Sequence, residues 1–501
     1  MKERKLPLLS KTQQKDLNTK LKEVVTYRKS GLSLNHIIGC PIDCAYCVRH
    51  MFANFDMKLP HMLMSDEEAV ETLIKHKFFI PNVTPIQIFN RATDSMIPSV
   101  RPHYQKVLRL LDSKGLKNDV LIITRFKVTE QDCTFLNSLV NIKPALLITY
   151  SGIKIKEIEP IENNIPINSL KLAYSKSKHF KVVLYWRPII PDLNDSIVDL
   201  KFVLDDLAQY SHAVVYTGLF YKKEIKDYFK KAGLPELYKN SERRKIFPKE
   251  MEKRLLEVAK GSHADKKLFR KTSCAVRYAW NKADYNGHFT IKNPNYQAEI
   301  CDICPKDQLK ICQNSFNLPT VKQVKQAVEK IGIFDLRFYI NQWNGTITIQ
   351  HISDSEQVRY FLQHSLNVQV HDINYSHNPK RHGRAESGWE NASTLEESDI
   401  YYMSLQLLLS KHFISRSKPI SPQYYDALTH LLEEKIVLPD KKKDISNKPY
   451  EKEYQELRSF LYVDNIINID FLKALKTIFE IDKINTLKNK NILCEIVDLM
   501  Q

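Results

Sequence analysis

Ser33-Leu34-Asn35-His36-Ile37-Ile38-Gly39-Cys40-Pro41-Ile42-Asp43-Cys44-Ala45-Tyr46-Cys47 carries a short apolar run straight into three cysteines spaced C-x3-C-x2-C. A strand is expected over residues 33–38, so the cysteines fall on the loop at its C-terminal end, where α/β folds place their chemistry. Three thiolates leave one iron of a four-iron cluster without a protein donor, and an open coordination position is what a substrate-binding metal requires. A closed zinc site would need a fourth ligand, for which the nearest candidates are His36 and His50.

Outward from this loop, residues 31–230 alternate short apolar runs with segments of helical period, the pattern of a parallel βα sheet. Strands are expected at 33–38, 86–90, 120–126, 145–151, 181–190 and 213–220. Ser65 followed by Glu68 reads as a capping box, Thr129 followed by Asp132 as a weaker one, and Gly115 as the stop of a helix from about residue 103. Six βα units in this span predict an α/β fold, a partial (β/α)6 barrel, with a doubly wound sheet as the alternative.

The C-x3-C-x2-C spacing, with Tyr46 before the last cysteine, resembles the signature of the radical S-adenosylmethionine superfamily. In that superfamily the methionyl amine and carboxylate chelate the unique iron, and the reduced cluster cleaves the sulfonium to methionine and a 5′-deoxyadenosyl radical. Within it, region 31–230 is similar to the spore photoproduct lyase and DNA repair photolyase-like branch. Asn90-Arg91-Ala92-Thr93-Asp94-Ser95-Met96-Ile97-Pro98 resembles that branch's Thr-Asp-Pro-Tyr-type loop. Ile123-Thr124-Arg125 resembles its Thr-Lys-Ser strand end, with arginine where lysine is usual. Tyr150-Ser151 matches the next strand's serine, and Arg187-Pro188-Ile189-Ile190-Pro191-Asp192-Leu193-Asn194-Asp195 is close to its Pro-Ile-Ile-Pro-Gly-Leu-Asn-Asp segment.

The resemblance implies a 4Fe-4S cluster on Cys40, Cys44 and Cys47, S-adenosylmethionine as cofactor, and a reductase or flavodoxin-type electron donor. It places Tyr46 by the adenine. Arg125 or Arg187 suits the cofactor carboxylate through a charge-assisted pair, and Asn90, Thr93, Asp94 and Ser151 suit its amine or ribose. One departure limits it. Spore photoproduct lyases carry a hydrogen-donating cysteine near the end of strand two, where this chain has Asn90 and Arg91, and its next cysteine, Cys133, falls on an expected helix.

A second group, Cys274, Cys301, Cys304 and Cys312, has the spacing C-x26-C-x2-C-x7-C, enough for a closed zinc site or an auxiliary 4Fe-4S cluster. Between barrel and C-terminal region, it is expected near the substrate entrance. Before it, lysines and arginines crowd residues 222–254, read either as a phosphate-contacting surface or as a solvated helical face. Beyond it, Phe338 and Ile340, then Ile347 and Ile349, alternate around Asn344-Gly345 as a hairpin would. Helices are expected at 353–364, 395–411 and 421–435, and an exposed linker at 440–444. His351, His364, His371, His377 and His382 read as separate surface residues, and Cys133 and Cys494 as buried apolar thiols.

These features divide the chain into an N-terminal extension (1–30), the barrel (31–230), a basic helical segment with the four-cysteine module (231–318), and a mixed α+β accessory region (319–501). The chain has 501 residues, too many for one ordinary core. Its N-terminus lacks a signal-peptide apolar stretch and no run suits a membrane span. With nine cysteines, seven of them in the two groups, a reducing cytoplasm and metal ligation are expected rather than disulfides. Seventy-five basic against 58 acidic residues give a net charge of +17, which favours a polyanionic partner, nucleic acid first. The expected function is a radical enzyme acting on nucleic acid or nucleotide. The alternatives are a peptide- or protein-modifying radical enzyme and a metal-stapled nucleic-acid-binding protein without catalysis.

Overall fold

The computed structural model describes residues 6–237, 249–289, 301–334, shorter stretches between 336 and 372, and a few positions between 448 and 467. After two short helices, α1 (Lys11–Lys15) and α2 (Thr19–Lys22), come the strands β1 (Val25–Arg28) and β2 (Gly31–Leu34). The small hairpin of β3 (Ile37–Ile38) and β4 (His61–Met62) then holds the cysteine loop between its arms. The strand expected at 33–38 is thus broken in two. Asn35 N donates to Val24 O (2.7 Å) and Asn35 Nδ2 to Ser33 Oγ (2.6 Å), while His36 Nε2 turns to Asp66 Oδ1 at 2.8 Å, so the chain leaves the sheet at Leu34.

The βα units follow as α3 (Asp66–Ile74), β5 (Ile86–Ile88), α4 (Arg101–Ser113), β6 (Asp119–Thr124), α5 (Glu130–Asn137), β7 (Lys143–Tyr150), α6 (Asn164–Lys176), β8 (Lys181–Ile189), α7 (Ile197–Lys201) and β9 (Ala213–Gly218). Helices α8 (Lys223–Lys231) and α9 (Lys249–Ala259) lead to the edge strand β10 (Leu268–Phe269). The sheet order is β1-β2-β5-β6-β7-β8-β9-β10, antiparallel only between β1 and β2. Strand order follows the chain without reversal, which removes the doubly wound alternative, since that topology needs a switch point. The helix signals hold: Ser65 and Thr129 each form a complete capping box, and Gly115, at φ +70°, follows the end of α4.

Alternation along the parallel strands separates two faces. Val120, Ile122, Leu146, Ile148, Val182, Leu184 and Val214 pack with Leu73, Val107, Leu108, Leu136 and Leu170 of the crossover helices. Leu121, Ala145, Leu147, Val183, Tyr185, Ala213 and Val215 face the other way and are covered by Ala275 and Val276 of α10 (Thr272–Ala279). Helix α10 runs from Tyr185, whose hydroxyl lies 3.1 Å from Thr272 Oγ1, toward the start of β6, where Arg277 Nη1 meets Asp119 Oδ2 at 2.6 Å.

Helices α11 (Lys306–Ser315) and α12 (Val321–Glu329) precede β11 (Phe338–Asn341) and β12 (Thr346–Ile349), which pair antiparallel as the expected hairpin requires; its turn lies outside the described residues. Helix α13 (Ser355–Leu366) then brings β13 (Val370–Asp372) parallel to β12. Helix α13 packs on β1 through His364, which is buried: Nδ1 lies 2.9 Å from Tyr27 Oη, and Nε2 lies 2.8 Å from Asn286 Oδ1 and 3.0 Å from Lys29 O. The surface placement expected for it is therefore overturned by three polar partners that only a buried ring can reach. Side chains of His351, His371, His377 and His382, the helices at 395–411 and 421–435, the linker at 440–444 and Cys494 fall outside the described residues. Among the described residues, no helix is long and apolar enough to cross a membrane.

Candidate functional site

Gly39 starts the cysteine loop at φ +98°, and a Cβ there would stand 2.4 Å from Leu59 O, so backbone geometry and close approach both require glycine. Cys40 N donates to Met57 O at 2.9 Å. The rest of the loop is held from inside by Arg49, which is buried. Its Nη2 donates to Ile42 O (2.8 Å), and its Nη1 lies within reach of Asn54 O (3.1 Å), Phe55 O (3.1 Å) and Met57 O (3.3 Å). One guanidinium thus satisfies carbonyls from both sides of the loop, which a point-charge lysine could not span. Cys40, Cys44 and Cys47 are free thiols. Burial pushes the Cys40 thiol up to about 11, with Arg49 pulling the other way, and pushes Cys44 well above the ordinary thiol value.

The loop opens into a cavity of about 140 Å³ at the C-terminal ends of the parallel strands. Of the residues singled out in the sequence, Cys40, Cys44, Cys47, Tyr46, Asn90, Thr93, Asp94, Arg125 and Arg187 line it. Ser151 does not. Its hydroxyl donates instead to Glu159 Oε2 at 3.1 Å.

Glu159, on the loop after β7, is the organising residue that sequence reasoning missed. Its buried carboxylate accepts from the Tyr46 hydroxyl, pairs with Arg125 Nη1 at 3.0 Å, and stands 3.9 Å from Cys44 Sγ. No local motif marks it, because its partners come from two other strand ends. Arg125 is held by Glu159 and by Tyr46 Oη at 2.5 Å; burial pulls its guanidinium down, and the Glu159 carboxylate is among the neighbours that keep it charged.

Asp94 is equally engaged. It accepts from Thr124 Oγ1 (2.7 Å), Arg125 N (2.9 Å) and Met96 N (2.9 Å), bonds that oppose the upward push of burial on its carboxyl. Asn90 accepts from Ser33 Oγ at 2.5 Å and donates to Gln87.

Three groups on the wall are left for a ligand. Thr93 Oγ1 and Thr149 Oγ1 are buried with no hydrogen-bond partner among the described residues, and both residues line the cavity. Arg187 lies over the Tyr185 ring at 4.0 Å and has no ion-pair partner among the described residues. Thr149 had not stood out in the sequence.

The second cysteine group is also brought together. Cys274, Cys301, Cys304 and Cys312 line one smaller cavity with Asp284 and His288. Cys274 lies on α10 and packs against the Leu121, Leu147 and Val183 face, below the mouth. This corrects the expected place near the substrate entrance: α10 runs down the sheet interior and carries the module with it. Cys133 is a buried core thiol of α5.

In the basic tract, Lys223 pairs with Asp227 at 2.5 Å, Lys226 with Glu236, and Arg254 with Asp195. Ile225 and Phe229 bury one side of α8, leaving Lys223, Lys230 and Lys231 exposed, while residues 238–248 lie outside the described set.

No protein-family model matches the chain, and no curated protein matches it. Among solved structures it is similar to a spore photoproduct lyase complexed with dinucleoside spore photoproduct (10% identity, 47% of this chain and 75% of that one, TM-score 0.37). It is also similar to a spore photoproduct lyase variant with bound AdoMet and dinucleoside spore photoproduct (11% identity, 51% and 83%, TM-score 0.38). Streptococcus suis SuiB bound to precursor peptide SuiA is a further likeness (11% identity, 46% and 44%, TM-score 0.32). At these scores the case for the site rests on the chain's own residues.

Proposed function

We propose that the chain is a radical S-adenosylmethionine enzyme whose sheet serves as a partial (β/α)6 barrel and whose cysteine loop holds a 4Fe-4S cluster. The carrying observation is the conjunction at the strand ends. Three free thiols on one braced loop open into a cavity whose wall offers an arginine without an ion-pair partner and two hydroxyls without a hydrogen-bond partner among the described residues. Such a donor set fits a cluster with one open iron and a ligand that brings carboxylate, amine and ribose. When bound, the cluster would supply the electron that cleaves the sulfonium of S-adenosylmethionine to give a 5′-deoxyadenosyl radical.

The chain's own residues divide the remaining work. Arg187 binds the cofactor carboxylate, and Thr93 and Thr149 hydrogen-bond its polar groups. Glu159 and Arg125 fix Tyr46 beside the thiols, so Tyr46 forms a wall of the adenine region. Asp94 sets the turn from β6 into Arg125. Of the two arginines suited to the carboxylate, Arg187 takes that contact, since Arg125 already has its anion in Glu159. A reductase or flavodoxin-type donor would deliver the electron in a reducing cytoplasm, where thiols stay available for iron.

Replacing Arg187 with alanine should weaken S-adenosylmethionine binding to the cluster-loaded protein about 10- to 100-fold, the worth of one hydrogen bond to a charged group. Equilibrium dialysis measures it, and an unchanged affinity would remove Arg187 from the site.

The substrate is a nucleic acid or nucleotide. The net charge of +17 and the exposed lysines of α8 support that class. Binding of single-stranded DNA or RNA should then fall steeply between low and moderate salt. A salt-insensitive interaction would turn attention to a peptide substrate.

A further inference from the structure

We propose that Cys274, Cys301, Cys304 and Cys312 hold a single zinc-class divalent ion in a closed structural site, with the Asp284–His288 pair as its outer support. The site is separate from the cysteine loop and from the reading of that loop as a radical site.

Three elements converge on it. Helix α10 brings Cys274, the turn at residues 281–289 brings Asp284 and His288, and α11 with the turn before it brings Cys312 and the Cys301–Cys304 pair. Cys274 Sγ and ligand atoms of Asp284 and His288 lie within 4.8 Å of one another. His288 Nδ1 is 2.8 Å from Asp284 Oδ2 and 3.7 Å from Cys274 Sγ, a histidine fixed by a carboxylate as metal-site histidines are. Gln308 Nε2 approaches Cys312 Sγ at 3.3 Å while bonded to Lys282 O at 2.9 Å, which ties that thiol to the same turn.

Among the described residues, three buried polar atoms of the cavity lining find no hydrogen-bond partner: Gln308 Oε1, and His288 Nε2 and Asp284 Oδ1 on side chains 1% and 3% exposed. Six donor-bearing residues around one pocket, with orphaned polar atoms among them, are costly as a plain core and ordinary around a cation.

Donor number and spacing select the kind of centre. Four thiols line this site against three at the cysteine loop, the number that a closed zinc shell uses, and Cys274 Sγ stands within 4.8 Å of ligand atoms of Asp284 and His288, a compactness that suits one ion with its supporting pair.

The surroundings are those of a staple. Arg270 joins Glu252 of α9 (2.7 Å) to Asp302 (2.5 Å), and Arg277 joins Ala283 O (2.8 Å) to Asp119 of β6 (2.6 Å). Gly287, at φ +62°, lets the turn pass against Asn367 where a Cβ would come within 2.5 Å. A centre there locks α10 onto the sheet as the floor beneath the catalytic cavity.

The test uses the full chain with Cys40→Ala, Cys44→Ala and Cys47→Ala, so that the second site is read alone and without any activity assay. After expression with both iron and zinc supplied, metal analysis should find about one zinc per chain and no acid-labile sulfide, and adding Cys304→Ala and Cys312→Ala should remove it. His288→Ala should weaken zinc about 10- to 100-fold in a chelator competition, and an unchanged affinity would detach the Asp284–His288 pair from the site. Iron with sulfide retained by the first variant overturns the single-ion assignment, and absence of metal overturns the site. If that variant is insoluble, the same analysis on the otherwise wild-type chain with Cys304→Ser decides. Loss of zinc with the first site's iron intact supports the proposal, and zinc retained contradicts it.

Discussion

Replacing Arg49 with alanine should leave a chain that neither loads iron at the first site nor keeps its stability. The side chain is buried and donates to carbonyls of Ile42, Asn54, Phe55 and Met57. An unsatisfied buried acceptor costs about 1–3 kcal/mol, and partial rehydration of the vacated space would leave a net loss of about 3–5 kcal/mol. The consequence reaches function because Ile42 lies between Cys40 and Cys44, so the spacing of the thiols depends on the carbonyl that Arg49 holds. Arg49→Lys should recover only part of the loss, since one ammonium cannot serve carbonyls on both sides. Denaturant unfolding and iron per chain after anaerobic reconstitution measure the two effects. Full iron loading with unchanged stability in Arg49→Ala would show that the loop is held by something else.

Glu159→Ala should be nearly as damaging, by another route. It removes the anion from a buried pair and leaves the Arg125 guanidinium uncompensated, which costs about 3–5 kcal/mol. It also frees Tyr46 and Ser151, both of which donate to this carboxylate. Glu159→Gln keeps the shape but loses the charge and should fall between wild type and alanine. The double variant Glu159→Ala with Arg125→Met should be more stable than Glu159→Ala alone, because the stranded charge goes with its partner. A double variant less stable than the single one would mean that Arg125 has a second anionic partner.

Much of this was legible in the chain because it depends on local pattern. Strands β6 to β9 repeat apolar residues at the period of a buried parallel sheet, and the structure places them within a few residues of the expected ranges. The cysteine loop was legible for the same reason, its spacing being a property of eight consecutive residues.

What was not legible depends on contacts between distant segments. Glu159 matters only because β7's exit loop passes beneath Tyr46 and Arg125. Asp284 and His288 matter because their turn meets α10 and α11. His364 is buried by Tyr27 and Asn286, 337 and 78 residues away. The broken strand at 33–38 is a subtler case: its apolar residues are real, but the His36–Asp66 contact draws the second half out of the sheet. Polar residues at strand ends could be named as a set from the sequence, but which of them is free for a ligand is decided by neighbours. Arg125 and Arg187 could not be told apart until one was seen with Glu159 and the other without an anion among the described residues.

The central claim is the chemistry of the cysteine loop, and formation of 5′-deoxyadenosine tests it most directly. The full chain, reconstituted anaerobically with iron and sulfide and reduced with dithionite, should convert added S-adenosylmethionine to methionine and 5′-deoxyadenosine. The variant with Cys40, Cys44 and Cys47 replaced by alanine should yield none. A full, reducible cluster that yields no 5′-deoxyadenosine with or without nucleic acid, and whose EPR spectrum is unchanged by S-adenosylmethionine, would contradict the radical assignment and leave a metal-stapled binding protein in its place.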